Sequence, residues 1–476
     1  MLFNSLAFAV FLPVVFAVYW LTPPAKRWLV LLLSSYYFYM SWNARYVLLI
    51  LLTTAVSYAC ALLIERDRAH RRCFLGLALL VCLGVLFFFK YFNFFSESLS
   101  ALLRRFALPV SPLTLRLLLP VGISFYTFPT LSYVIDVYRG RAAAERHFGR
   151  YAAFVSFFPQ LVAGPIERTE NLLPQIRQAP RFDYEQACRG MLLMTWGFFK
   201  KIVIADNLAV TVDRIYDNVY SVSGFALVLA ALCFTVQLYC DFSGYTDIAR
   251  GTARLFGIEL MENFKSPHLA ASVREFWSRW HISLSTWFRD YVYIPLGGNR
   301  VGRVRNALNI MLTFLLSGLW HGANWTYVIW GGIHGAAQIL EKRLGLDRKP
   351  KSAAGCALRV CAVFLFTAFA LIFFRSQSLS EALYVITHSL SGIGQPLAYL
   401  RDGFVDAQLG KLKLVRYLFV FLLPLFLYDL ASLRVDVIGR LRQKPALLRH
   451  SVYCALLLAI FLFHAGGEVA FVYFQF

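Results

Sequence analysis

The sequence contains little charge and no recognisable pattern of metal or disulfide ligands. Of its 476 residues, 15% are charged, 59% are hydrophobic and 17% are aromatic, whereas soluble domains contain only about 45–50% apolar residues. The nine cysteines form no CxxC pair and the nine histidines form no HExxH pair, so metal-binding spacings are absent. We therefore predict no structural metal and no bound cofactor, and we interpret the cysteines as small interior residues.

No fixed-period repeat and no pair of inverted halves is visible, although inverted halves are typical of secondary transporters. The 47 lysines and arginines outnumber the 26 acidic residues and give a formal net charge of +21. They lie in loops between apolar stretches, without a continuous basic stripe or a nucleic-acid-binding module. The charge therefore indicates a positive-inside protein in a bilayer with anionic lipid, and no nucleic-acid partner.

Long apolar stretches recur along the chain and predict an all-α, polytopic helical membrane protein. Roughly 17–25 apolar residues span a bilayer. Several stretches are shorter, which indicates re-entrant or broken helices around a central chamber. The candidate spans are Leu6–Thr22, Trp28–Trp42, Tyr46–Ile64, Phe74–Tyr91, Leu113–Tyr133, Tyr151–Gly164, Gly190–Ile204, Gly224–Phe242, Asn309–Leu319, Trp325–Leu340, Cys356–Phe374, Tyr417–Leu430 and Val452–His464.

The charges beside the first stretch predict its orientation. The N-terminus lacks the basic region of a signal peptide, so we expect Leu6–Thr22 to be retained as a span. Lys26 and Arg27 follow it, and the positive-inside rule places them in the cytoplasm and Met1 outside.

Two proline-containing polar segments, Pro120–Pro129 and Phe157–Pro165, interrupt the apolar pattern. Non-helical backbone at membrane depth is tolerated only where protein buries it or a cavity solvates it. The two segments therefore predict an internal chamber. We treat residues 1–476 as a single domain with its catalytic centre at about residues 120–335.

His321 is the only ionisable group apart from one tyrosine in the apolar run of residues 312–330. A titratable imidazole is costly in hydrocarbon and is kept there mostly for function. Its neighbours include four glycines, which let backbone approach closely and let a helix end: Gly318, Gly322, Gly331 and Gly332. We interpret His321 as functional; a packed histidine bonded to a neighbouring helix is the alternative.

The segment from Arg274 to Tyr291 is amphipathic, with aromatic residues at helical i, i+3, i+4 and i+7 spacing. It predicts a short helix at the cytoplasmic interface whose aromatic face, including His281, turns inward. An interfacial aromatic anchor with an incidental histidine fits the same periodicity, so both interpretations of His281 stay open.

Polar residues also lie towards the end of the apolar stretch that begins at Gly224, namely Gln237, Asp241 and Asp247. Carboxylates at that depth need partners, so we expect a buried arginine or histidine to pair with them. Pairing alone and a role in catalysis are both compatible with this pattern.

These motifs together resemble the bacterial membrane-bound O-acyltransferases of the alginate O-acetylase type. The run Gly318–Gly322 contains the histidine that marks the family. The resemblance covers most of the chain, in the stretches Pro120–Arg139, Phe157–Pro165, Gln237–Asp247, Asn263–Pro267, Arg274–Arg300 and Ser317–Gly335.

The resemblance implies that His321 is the catalytic histidine and that His281 faces it across a tunnel. It also implies a cytoplasmic thioester donor, acetyl-CoA for acetylating members. The acceptor would be an envelope polysaccharide, reached through a separate extracytoplasmic O-acetyltransferase partner, and the location the bacterial inner membrane. Further substrate-binding or supporting candidates are His334, Asp241, Gln237, Trp320 and Asn324.

The C-terminal segment, residues 468–476, is aromatic and contains one hydroxyl, that of Tyr473. Basic residues before the last span mark that loop as cytoplasmic, so the tail is predicted outside. An interfacial anchor is one interpretation. The tail also resembles the aromatic C-terminal motif of the small subunit of the teichoic-acid D-alanylation system, whose tyrosine carries the acyl group. This likeness implies that Tyr473 is a first acceptor.

We therefore predict an O-acetyltransferase in which His321 is the general base and His281 orients the donor or stabilises the oxyanion. Two alternatives remain. One is transfer of D-alanyl or another acyl group to an envelope polymer. The other is a proton-coupled transporter in which the histidines and Asp241 form a relay.

Overall fold

A computed structural model describes residues 1–464, except residues 109, 179, 349 and 351, together with residues 471–472. The regular elements of these residues are α-helices with short 3-10 and π-helical turns, and strands are absent from them, so the predicted all-α class is confirmed. Two apolar helices, Leu6–Leu21 and Ala446–Leu462, are shorter than a full span. Five helical stretches of the described chain are long and apolar enough to cross a membrane: Pro24–Arg66, Arg71–Arg105, Gly224–Leu255, Ala353–Arg375 and Lys411–Ser432.

The chain is thus a multi-pass membrane protein, and its contacts divide it into two compact units. The first unit comprises residues 1–194 and 248–261. Its aromatic core includes Phe158, whose ring meets the edge of Phe11 at 5.3 Å between centroids. Its helices are Leu6–Leu21, Arg27–Asn43, Val47–Arg66, Arg71–Leu86, Phe92–Arg105, Ile123–Tyr138, Phe148–Ser156, Phe158–Leu161, Thr169–Gln178 and most of Tyr184–Phe198, with short turns at Pro24–Lys26, Ala44–Tyr46 and Phe87–Tyr91.

The predicted break at Phe157–Pro165 is confirmed. Helix Phe148–Ser156 ends at Phe157, one short helix follows, and the backbone then runs irregularly through buried residues. The side chain of Gln160 supports this break, because its amide donates to the carbonyl of Phe154 at 2.9 Å.

The other predicted break is only partly present. The backbone makes a turn at Gly122, where φ is +75°. An added Cβ at this position would lie 2.5 Å from the carbonyl oxygen of Leu161. From Ile123 the chain is helical through Pro129 to Tyr138. The prediction of a span from Leu113 was therefore wrong, since the helix begins at Ile123. Proline is tolerated inside such helices because neighbouring groups can satisfy the freed carbonyl.

The second unit comprises residues 195–247 and the described residues from 262 onward. It buries a continuous apolar core around Phe234, Trp280, Trp330 and Phe374. Its elements are the π-helical turn Phe199–Ala205, Asp206–Asp217, most of Gly224–Leu255, Pro267–Leu269, Val273–Arg279, Ile282–Phe288, Arg289–Tyr293, Arg303–His321, Trp325–Leu344, Ala353–Arg375, Leu379–His388, Pro396–Asp406, Lys411–Arg416, Tyr417–Leu422, Leu423–Ser432, Val437–Arg442 and Ala446–Leu462.

Helices Arg303–His321 and Trp325–Leu344 pack backbone against backbone. An added Cβ on Gly318 would lie 2.3 Å from the carbonyl oxygen of Tyr327, and one on Gly331 would lie 2.2 Å from that of Phe314. Small residues allow this approach between membrane helices. The close packing predicted from the glycines around His321 is confirmed.

Candidate acyl-transfer site

His321 is the last residue of its helix, and the chain continues in extended backbone at Gly322. The predicted helix end beside this histidine is therefore present. Its side chain is buried, and its ring lies against the edges of Trp330, at 5.0 Å, and Phe374, at 5.5 Å. The sequence places an imidazole in an aromatic enclosure, as expected for a titratable group that is kept out of lipid.

His281 lies between two helices. Val273–Arg279 ends before Trp280, and Ile282–Phe288 begins after His281, whose φ of 44° and ψ of 53° are left-handed. The prediction of one helix from Arg274 to Tyr291 was therefore wrong. The inward aromatic face was predicted correctly, because Trp277, Trp280 and Trp287 are buried and His281 is fully buried.

The side chain of Asn263 fixes the orientation of His281. Its Oδ1 accepts from the backbone N–H of Ser283 at 3.2 Å and from the Ser283 hydroxyl at 2.9 Å, which identifies this atom as the amide oxygen. The same oxygen lies 3.1 Å from Nδ1 of His281. An oxygen can only accept from Nδ1, so Nδ1 carries the proton and Nε2 keeps its lone pair.

Burial lowers the pKa of His281 to about 3, because a charged imidazolium is costly away from water. His281 is accordingly neutral near pH 7, with an unprotonated Nε2. A neutral imidazole of this tautomer can accept a proton or a hydrogen bond at Nε2.

The two histidines face each other within the second unit. Their ring centroids are 6.4 Å apart at 66°, and Trp320 lies beside both rings, 4.8 Å from His321 and 5.9 Å from His281. The structure thus brings together His321, His281 and Trp320 from the predicted set. One small reacting group could contact both imidazoles, as general acid–base chemistry requires.

His334 lies near His321, and the ring of Trp330 is 5.0 Å from both. The indole N–H of Trp277 donates to its Nδ1 at 3.3 Å, so its proton is on Nε2. His334 and His321 both line a cavity of about 10 Å³, enclosed mainly by the side chains of Trp280, Leu371 and Phe374. That volume holds about one water-sized group.

The two aspartates of the long helix pair with lysines. Lys201 Nζ lies 2.6 Å from Asp241 and 2.8 Å from Asp206, and Lys200 Nζ lies 2.7 Å from Asp247. Pairing was predicted correctly. For Asp241 the partner is a lysine and not the expected arginine or histidine. Both lysines lie on the π-helical turn Phe199–Ala205, in the same unit as the aspartates.

The remaining two candidates differ in their surroundings. Gln237 is buried one helical turn before Asp241, and its Oε1 has no hydrogen-bond partner among the described residues. Asn324 is a capping residue, because its Oδ1 accepts from the N–H of Thr326 at 3.1 Å and its amide donates to the carbonyl of Gln377 at 3.0 Å. Gln237 is thus the better placed of the two for a ligand.

Tyr473 lies outside the described residues, so its predicted role stays a prediction. The two residues before it are described and buried. Phe471 stacks on Tyr245, with centroids 4.7 Å apart, and the Val472 N–H donates to Asp241 at 2.9 Å.

Two features of the site were not predicted from the sequence. Asn263 lies in a stretch that carried the family resemblance, yet no role was assigned to it. Lys200 and Lys201 lie inside a candidate span, where charged residues are functional hypotheses, and that signal could have found them. Within the described part of the chain, no group of three or more His, Cys, Asp or Glu side chains could hold a metal ion.

Comparison with known proteins agrees with this geometry. The family model of the membrane-bound O-acyltransferases, MBOAT, matches residues 143–346, which include all three buried histidines described above. The probable alginate O-acetylase AlgI of Pseudomonas aeruginosa is 40% identical over 427 residues, 88% of this chain and 81% of that protein. The chain therefore belongs to the membrane-bound O-acyltransferase family. It is accordingly an acyltransferase.

Two further relatives differ in the acyl group that their names specify. The peptidoglycan O-acetyltransferase of Helicobacter pylori is 36% identical over 437 residues, which cover 84% of this chain and 82% of that protein. The teichoic acid D-alanyltransferase of Streptococcus thermophilus is 30% identical over 252 residues, which cover 48% of this chain and 60% of that protein. The acetyltransferases thus align over more of the chain.

Proposed function

We propose that this protein is an O-acetyltransferase that takes acetyl from a cytoplasmic thioester, acetyl-CoA, and passes it across the membrane for O-acetylation of an envelope polysaccharide. Acyl transfer to an envelope polymer is common to relatives named for alginate, peptidoglycan and teichoic acid. The acetyl group, the direction and the donor are the proposed parts. The observation that supports the chemistry of transfer is the buried pair of His281 and His321, and the longer alignment with acetyltransferase relatives supports the acetyl group.

In the proposed reaction, His321 takes the proton of an acceptor hydroxyl whose oxygen attacks the thioester carbonyl carbon. The new C–O bond forms, the C–S bond breaks, and the thiolate leaves with a proton as coenzyme A. His281 orients the reacting groups by accepting a hydrogen bond at Nε2. Because its one N–H faces Asn263, the expected alternative role of donating to the oxyanion would need a different donor. Positioned acid–base groups typically contribute about 10²–10⁴-fold.

The cavity beside His321 supports acetyl as the transferred group. Its volume of about 10 Å³ admits one small group, close in size to a methyl. Its lining is mostly aromatic and aliphatic, with Thr367, His321 and His334 as the polar members. The charged ammonium of a D-alanyl group would be costly to bury there. Transfer of D-alanine remains the second enzymatic candidate because of the D-alanyltransferase relative.

The acceptor side of the proposal uses Tyr473 as a first carrier and a separate extracytoplasmic transferase as the partner. Burial of Phe471 and Val472 supports a tail that folds back into the second unit. The positive-inside rule supports an inner-membrane protein with both termini on the outer side.

The test uses the full chain reconstituted in nanodiscs. We expect incubation with acetyl-CoA to release free thiol and to leave an acetylated protein detectable by intact mass, whereas a D-alanyl carrier protein gives no product. His321→Ala should abolish both signals while its chromatographic profile stays monodisperse. His388→Ala, at an exposed histidine of the same unit, is the matched control. Ion or solute flux without covalent modification would favour the transporter.

A further inference from the structure

The C-terminal tail returns to the interior of the second unit. The last helix ends at Leu462, and the side-chain amide of Asn207 donates to the carbonyl of Phe463 at 2.7 Å, which fixes the helix end. Further along, Phe471 is 2% exposed and Val472 is 6% exposed. A chain end that is buried in this way needs partners for its backbone.

The partner of the tail backbone is an ion pair. One carboxylate oxygen of Asp241 faces Lys201, and the other accepts the N–H of Val472 at 2.9 Å. Lys201 also faces Asp206, so a single ammonium is shared by two carboxylates. The tail N–H therefore donates to a carboxylate oxygen of a buried ion pair, which is a charge-assisted hydrogen bond.

Ring packing supports the same placement of the tail. Phe471 stacks on Tyr245 and also lies 5.9 Å from Phe242. Phe242 in turn meets the ring of His281 edge-on at 4.6 Å. The ring of Phe242 thus contacts both Phe471 of the tail and His281, so the position of the tail and that of His281 are physically connected.

We propose that the Lys201–Asp241 ion pair is the docking site for the chain's own C-terminal tail, and that Asp241 is a positioning residue which accepts the Val472 N–H. The docked tail carries Tyr473 one peptide unit further along the sequence. Asp241 then acts on transfer through the tail and makes no contact with the donor. The effect on transfer rests on the proposed function, whereas the docking itself does not.

The docking is tested by replacing Phe471 with photoreactive p-benzoylphenylalanine, which keeps an aromatic ring, in the full-length protein without donor. Irradiation should cross-link position 471 to the helix that holds Phe242 and Tyr245, as mapped by mass spectrometry. Asp241→Asn removes the charge, and Val472→Pro removes the N–H, fixes φ and replaces one buried apolar side chain by another. Each should lower the cross-link yield by about tenfold, because hydrogen bonds to charged groups are among the stronger ones.

The controls separate docking from folding. Val472→Ala keeps the N–H and should keep the cross-link, and Asp402→Asn removes an exposed carboxylate of the same unit. Monodispersity and melting temperature are measured for every variant. An undiminished cross-link in both Asp241→Asn and Val472→Pro would overturn the docking site.

The positioning role is tested by kinetics. Asp241→Asn and Val472→Pro should lower kcat for acetyl transfer. They should leave KM for acetyl-CoA unchanged, because the donor does not contact the docking site of the tail. Loss of the cross-link with unchanged kcat would overturn the positioning role. If wild-type protein transfers no acetyl at all, the proposed function fails while the cross-link still decides the docking.

Discussion

The amide oxygen of Asn263 lies 3.1 Å from Nδ1 of His281 and sets which nitrogen of that ring carries its proton. Because Ser283 donates two hydrogen bonds to the same oxygen, the amide cannot rotate to offer its NH2 group without losing both. Asn263 is thus a positioning residue for His281, and a change of its charge should alter the basicity of that histidine.

Asn263→Asp should make the reaction sensitive to acid. A carboxylate facing Nδ1–H favours the imidazolium and raises the pKa of an adjacent histidine, typically by about 1–3 units, from its buried value of about 3. As the pH falls, the variant should protonate Nε2 before wild type does. The kcat/KM profile for acetyl transfer should therefore show an acidic decline at higher pH in the variant.

The control for this change is Asn218→Asp, which adds the same charge at an exposed position of the second unit. It should leave the profile unchanged. Superimposable profiles for wild type and Asn263→Asp would show that the protonation state of His281 does not limit transfer.

His281→Asn should retain the fold and lose activity. Asparagine tolerates the left-handed backbone that position 281 adopts, whereas a phenylalanine there would add strain of about 1–3 kcal/mol. We expect the acetyl-transfer rate to fall by at least ~10²-fold, the low end for a positioned catalytic group. The acetyl-transfer rate and the melting temperature are measured for His281→Asn and for the control His388→Asn. A well-folded His281→Asn variant with wild-type transfer would make His281 an aromatic anchor.

Leu371→Ala should widen the choice of acyl group. Leu371 lines the small cavity beside His321, and one additional methylene in such a pocket changes discrimination by about 10–200-fold. We expect wild type to prefer acetyl-CoA over propionyl-CoA by a factor within that range. In the variant this preference should be smaller. The measurement is the ratio of kcat/KM values for the two donors.

Leu365→Ala, at an exposed position of the same helix, is the matched control. The core substitution will also cost about 2–5 kcal/mol of stability, so the ratio of the two donors is more informative than either rate. An unchanged ratio would mean that the acyl group binds elsewhere.

The apolar pattern located the five long apolar stretches, because hydrophobic length and period depend on sequence directly. Two of them continue to Arg105 and Leu255, well beyond the predicted ends at Tyr91 and Phe242. The helix end at His321 and the packing at Gly318 followed from the glycines around the histidine, whereas that helix begins at Arg303, before the predicted start at Asn309. Shorter helices that carry charge on one face, such as Phe92–Arg105 and Asp206–Asp217, were missed because they lack a continuous apolar run.

The break at His281 could not be predicted from the sequence, since neither glycine nor proline marks it. Its left-handed backbone is held by tertiary contacts, namely the bond from the Ile282 N–H to the Asn263 carbonyl and that from the Lys265 N–H to the Arg279 carbonyl. The pairing of Lys201 with Asp241 likewise depends on which helices meet in space. Local sequence contains the charges and leaves their partners undetermined.

Tyr473→Phe should abolish transfer to the outer acceptor and leave the tail docked. The substitution deletes one oxygen and keeps the ring, so it separates an acyl carrier from an aromatic anchor. A phenol with an ordinary pKa near 10 is a weak nucleophile at neutral pH and needs an adjacent base, for which His321 is the candidate. In wild type without the outer partner we expect acetyl on Tyr473, detected by peptide mass spectrometry after incubation with acetyl-CoA. In Tyr473→Phe we expect no acetylated tail peptide and no acetylated polymer, with an unchanged cross-link from position 471. Full polymer acetylation by Tyr473→Phe would reduce the tail to an anchor and send the acetyl group directly to the partner.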